Sequence, residues 1–139
     1  MKSVFISHNI EYILVDVKNG SVFDYIEKIK AEDGKVLGYK LLENIAYYSR
    51  RYRKHITCEK GDRSDGATSA PDIDSFCWIF HDELCVEGAF DDGSVCNNWQ
   101  ASSVLSDILK DEGRWFRART WHYATWLFGG GEARENGLI

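Results

Sequence analysis

The sequence predicts an α+β fold in which a small N-terminal antiparallel sheet packs on two to three C-terminal helices. Between residues 10 and 59 the apolar positions are rich in β-branched and aromatic residues and are broken by turn signals. After Pro71 the apolar residues instead recur at intervals of three and four, as amphipathic helices require. With 44% hydrophobic residues and five Trp in 139 residues, the chain can bury one core but not two, which predicts a single α+β domain over 1–131 and a mobile tail over 132–139.

The elements follow in order. Ile10 to Val17 reads as a strand ending at the Asn19-Gly20 turn. Ser21 is placed to cap a short amphipathic helix carrying Val22, Tyr25, Ile26 and Ile29 and stopping near Asp33-Gly34. Val36 to Tyr48 and Tyr52 to Glu59 read as two strands joined by a turn at Ser49-Arg50-Arg51. Phe76 to Val86 crowds apolar residues so densely that a helix buried on most faces is expected, bounded by Gly88. The Asp91-Asp92-Gly93-Ser94 turn offers a cap for a second helix carrying Ala101, Val104, Leu105, Ile108 and Leu109, which ends near Gly113. A third helix carries Trp115, Ala118, His122, Thr125 and Trp126 and stops at Gly129-Gly130-Gly131, a run that follows no strand and is expected to precede no helix.

A net charge of −5, with acids spread along the chain, leaves no basic stripe to neutralise a phosphate backbone, so nucleic acid is not an expected partner. The one basic cluster, Arg50 to His55, reads as a solvated turn or strand edge. No segment approaches the ~20 apolar residues of a membrane-spanning helix, and the first residues lack the pattern of a signal peptide. The expectation is therefore a protein that is not transmembrane and is made in the cytoplasm. The four cysteines are too sparse for a secreted disulfide scaffold and read as reduced and mostly buried.

Two constellations carry chemical interest. Gly61 to Pro71 sets Asp65 on a glycine turn ahead of His81-Asp82 on the expected buried helix. Adjacent helical residues project about 100° apart, so His81 and Asp82 must serve different partners. His81 would act as general base toward water, while Asp82 and Asp65 would supply oxygens to a calcium ion polarising an ester carbonyl. The alternative is a satisfied core histidine beside a surface aspartate. A zinc site from Cys77, His81 and Cys85, with Cys96 nearby, is disfavoured because three ligands over two helical turns span ~12 Å. The second constellation is the aromatic third helix, where Trp121 and Trp126 are candidates to bind a lipid chain or a partner protein.

The order Ser64-Asp65-Gly66-Ala67-Thr68-Ser69-Ala70-Pro71, Trp78-Ile79-Phe80-His81-Asp82-Glu83-Leu84-Cys85, Ala101-Ser102-Ser103-Val104-Leu105, and Arg117 through Phe128-Gly129-Gly130 resembles a family of small phage and prophage proteins of unassigned function. The resemblance covers roughly Gly38 to Gly130, and its specificity lies in the order of four short motifs. That family's helices are in turn similar to the catalytic helix pair of secretory and parvovirus capsid phospholipases. The resemblance implies His81 as base, Asp82 as calcium ligand, and a later residue that orients the histidine. This chain departs at the orienting position, where Ser102 stands in place of a carboxylate. A hydroxyl accepts a hydrogen bond from imidazole but does not stabilise imidazolium as a carboxylate does. Asn98 and Asp107 are the nearby residues that would have to compensate.

Two functions are therefore expected. The first is a non-enzymatic virion component of the tail, neck or baseplate, carried in the particle and docked to other phage structural proteins. The alternative is a calcium-assisted, phospholipase-like hydrolase in contact with lipid. The missing orienting carboxylate favours the first.

Overall fold

The computed structural model describes residues 3–7, 10–64 and 74–139, with side chains from Glu11 onward. Among these residues lie seven strands and four α-helices. β1 (Ser3–Ser7) and β2 (Ile10–Leu14) form an antiparallel pair, β5 (Ile45–Ser49) joins β2 in parallel, and β6 (Lys54–Cys58) closes the sheet antiparallel to β5. A second, wholly antiparallel sheet contains β3 (Ile26–Lys30), β4 (Val36–Leu41) and the short β7 (Arg63–Ser64). The helices are α1 (Cys77–Glu87), α2 (Asn98–Asp111), α3 (Trp115–Phe128) and α4 (Gly131–Glu135). The α+β class is as the sequence predicts, with the expected sheet resolved into two.

The stretch read as one strand from Val36 to Tyr48 breaks at Leu42-Glu43-Asn44, where the chain leaves the second sheet for the first. Asn44 holds the crossing: its side-chain amide donates to Glu11 O at 3.0 Å, and its side-chain oxygen accepts from Lys60 N at 2.7 Å. An amide that can both donate and accept ties two backbones at once.

The helix expected from Ser21 is a correction. Only a 3-10 turn at Val22–Asp24 forms, and Ile26 to Lys30 is β3. Val22, Tyr25, Ile26 and Ile29 fit a helical face, but Ile26 and Ile29 also suit a ladder, and Ile26 lies opposite Leu41 across the β3–β4 pair. Ser21 does not cap; its hydroxyl donates to Asp74 Oδ2 at 2.8 Å, while Val22 N donates to Asp74 Oδ1 at 2.9 Å. A carboxylate remote in sequence thus takes the donors a helix would have used.

α1 is the hub. It packs on β6, α2 and α4, and it buries Cys77, Trp78, Ile79, Phe80, His81 and Leu84. Aromatic pairs join it to both sheets: Trp78 to Tyr39 of β4 at 5.0 Å and Phe80 to Tyr47 of β5 at 5.7 Å. Such pairs combine large apolar area with a preferred tilted geometry. α2 begins with a capping box in which Asn97 and Gln100 each accept the other's backbone N–H, so its cap is Asn97 rather than the Asp91–Ser94 turn.

The tail expected to be mobile is instead docked. Ala133 of α4 is fully buried, and the Asn136 side chain donates to Gly88 O and Cys96 O at 2.9 and 3.0 Å. The glycine run therefore does precede a helix. Gly131 has φ +79°, and a Cβ there would come 2.3 Å from Cys85 O, so glycine is what lets α4 close on the end of α1. Trp126 Nε1 adds a hydrogen bond of 2.8 Å to Leu138 O.

Candidate functional site

A cleft of about 510 Å³ opens where α1 crosses the two sheets. Tyr39, Ile56 and Trp78 contribute apolar lining. Its described lining also carries six carboxylates, Glu59, Asp62, Asp82, Glu83, Glu87 and Asp91, against one cation, Arg63. Some of these acids have local work. Asp91 accepts from Thr57 N at 2.9 Å, Asp62 accepts from Glu59 N at 2.9 Å, and Asp82 accepts from the Ser64 hydroxyl.

Glu83 registers the crowding. Burial pushes its carboxyl up to about 8, and the charges of Asp62, Glu87, Glu59 and Asp91 push in the same direction. The cleft is thus an apolar recess with a negative rim. Among the described residues, no three His, Cys, Asp or Glu side chains are grouped as a metal ion would require. The described part of the cleft does not by itself form a calcium shell, and Asp65 lies outside the described residues.

His81 does not line this cleft. Its ring is buried, and its partner among the described residues is the Cys85 thiol, 3.6 Å from Nε2 and 3.9 Å from Nδ1. Burial pushes His81 down to about 4, so the ring is neutral at neutral pH. Burial also pushes the Cys85 thiol up to about 12, so no thiolate–imidazolium pair forms. All four cysteines are free, and Cys58, Cys77 and Cys96 are buried.

The residues named for orienting His81 are occupied elsewhere. Ser102 is fully buried on α2, and its hydroxyl accepts from Thr125 Oγ1 of α3 at 2.8 Å. Asn98 donates to Trp126 O at 2.6 Å, and Asp107 is held bidentately by Arg51 at 2.8 and 2.9 Å. His81 and Asp82 are adjacent in sequence yet serve separate environments, as the 100° helical step requires.

The aromatic helix α3 packs on α2 and buries only Ala118. Trp121 and Trp126 are half-buried: Arg117 lies 5.0 Å from the Trp121 ring, and Trp126 meets Trp99 edge-on at 5.0 Å. The exposed aromatics of α3 are others. Phe116 and Phe128 are 84% exposed, Trp115 67% and Tyr123 53%.

Sequence reasoning missed the cleft acids other than Asp82. A signal was present, since Glu83 and Glu87 lie at i and i+4 on a helix otherwise read as buried. Comparisons with protein-family models, curated proteins and solved structures find no match to this chain.

Proposed function

We propose that this chain is a non-catalytic docking protein of a phage particle, a tail, neck or baseplate-associated component whose acidic cleft receives a basic segment of a neighbouring protein. The observation that carries the docking reading is the division of α1: the imidazole required for hydrolysis is sealed against Cys85, while the carboxylates beside it line an open recess. A general base must reach the proton it removes, directly or through one water, and buried His81 does not meet the cleft. The virion assignment is supported by the ordered resemblance of four motifs.

The docking reading is tested by calorimetric titration with a synthetic peptide alternating Arg and Phe. Binding that weakens as salt rises is expected, because exposed ion pairs are screened; no heat at low salt overturns it. Mass spectrometry of purified particles tests the location, with a fixed copy number expected and absence overturning it. Fatty-acid release from phospholipid vesicles at millimolar calcium, lost in His81→Gln, would instead establish the hydrolase.

A further inference from the structure

The charge that the cleft lacks is displayed elsewhere on the same chain. α3 contains Arg117 and Arg119 and no acidic residue, in a protein whose net charge is −5. Its first turn carries no carboxylate, and its N-cap residue, Arg114, makes no side-chain cap. Arg114 itself is ion-paired with Glu112 at 3.8 Å, which leaves Arg117 and Arg119 as the cations of the helix proper. At the start of the helix Trp115 and Phe116 are 67% and 84% exposed, and Arg119 and Tyr123 follow Phe116 at three and seven residues, on one helical face. Arg119 has no hydrogen bond or ion pair among the described residues.

Neither surface can satisfy the other within one molecule. The cleft is lined from the strands, their connections and α1, with no residue from α2 or α3, whereas α3 packs on the far element α2. The cleft and the start of α3 are opposite in charge, and each pairs that charge with apolar surface. We infer that the N-terminal half of α3, presenting Phe116, Arg119 and Tyr123, docks into the acidic cleft of a second copy of this chain.

The contact is heterologous, with a different patch on each partner. A docked pair still offers one free cleft and one free α3, so association continues beyond a dimer into a ring or an open chain. A symmetric α3-to-α3 pairing is disfavoured, because it would bring the arginines of two helices together with no acid on either. An anionic lipid surface would match α3 but would leave the cleft unused and would meet a chain that is acidic as a whole. This inference rests on the docking reading and names the occupant.

The test is sedimentation velocity of the full chain across a concentration series, with Arg119→Glu, with Glu87→Arg, and with the two variants mixed. Both positions are exposed, and thermal melting monitored by circular dichroism checks that each variant folds. Wild type is expected to gain mass past the dimer and to lose it as salt rises from ~50 to ~500 mM. Each variant alone is expected to associate about tenfold or more weakly. Mixed, they are expected to associate again, because the unaltered cleft of Arg119→Glu accepts the unaltered α3 of Glu87→Arg.

A monomeric wild type at every concentration overturns the inference. So does a dimer weakened by Arg119→Glu but indifferent to Glu87→Arg, which is the symmetric pairing. Binding to phosphatidylglycerol vesicles without self-association, lost in Arg119→Glu alone, overturns it in favour of a membrane. A monomer that still binds the Arg-Phe peptide removes only the self-docking; a monomer that does not bind it removes the docking reading as well.

Discussion

On the sealed side of α1, burial pushes His81 down to about 4, whereas on the cleft side burial and neighbouring carboxylates push Glu83 up to about 8. Both shifts favour the neutral form and burial leads in both, with like charge adding to that of Glu83. His81 is buried, with the Cys85 thiol as its partner among the described residues, and desolvation accounts for its shift. Glu83 is half-buried on a wall crowded with like charge, and an arriving cation would relieve it. Two residues apart on one helix, one group is buried against a thiol and the other faces a wall of like charge.

The largest expected effect breaks the sealed side. His81→Lys places an ammonium at a buried position beside the Cys85 thiol and is expected to cost about 3–5 kcal/mol, the scale of an uncompensated buried charge. Glu87→Lys, on the exposed end of the cleft side, is expected to stay within about 0.5 kcal/mol of wild type. Urea denaturation of the two measures the contrast, and equal costs would abolish it.

Next in size is the acid response of the same side. A histidine whose folded pKa is depressed contributes stability that is complete above the unfolded value of 6.5 and lost as pH falls toward about 4. At pH 4 that loss is about 2–3 kcal/mol. His81→Gln removes the titrating group, so wild type and variant are expected to converge by about that amount between pH 7 and pH 4. Parallel curves from urea midpoints across that range would mean the ring is open to water.

How far the sequence reached depended on whether a signal was local. The Phe76–Val86 segment was readable as a buried helix because its apolar density leaves no solvent face wide enough for another assignment, and α1 spans Cys77–Glu87. Ser21 to Gly34 was not, because Val22, Tyr25, Ile26 and Ile29 satisfy a helical period while the partner that decides the matter, Leu41 on β4, is remote. The docked α4 was hidden for a related reason: a five-residue helix has too little periodicity, and its anchors are Cys85 on α1 and Gly88 just beyond it. At the candidate site, the separation of His81 from Asp82 followed from the helical step alone. The negative recess did not, since Glu59, Asp62 and Asp91 reach it from turns whose placement depends on the tertiary fold.

The cleft side gives a smaller, opposite effect. Because the folded pKa of Glu83 lies above the ordinary value of 4.5, the folded state holds its proton more tightly than the unfolded state does. Wild type is therefore expected to lose stability as pH rises from about 4.5 toward 8. Glu83→Gln keeps the neutral shape and is expected to be more stable at pH 8 by about 1–2 kcal/mol, after allowance for its partial exposure, and equal to wild type near pH 4. A variant less stable than wild type at pH 8 would mean that a cation on the same chain already meets Glu83.

The smallest effect separates Ser102 from His81. If Ser102 oriented the imidazole, removing its hydroxyl would alter the acid response assigned to His81. The Ser102 hydroxyl instead accepts from Thr125, so Ser102→Ala is expected to lower stability by about 1 kcal/mol through the α2–α3 contact. Its stability profile between pH 7 and pH 4 should run parallel to that of wild type. A flattened profile would tie Ser102 to His81, placing the motif helices in a catalytic arrangement that the Thr125 hydrogen bond argues against.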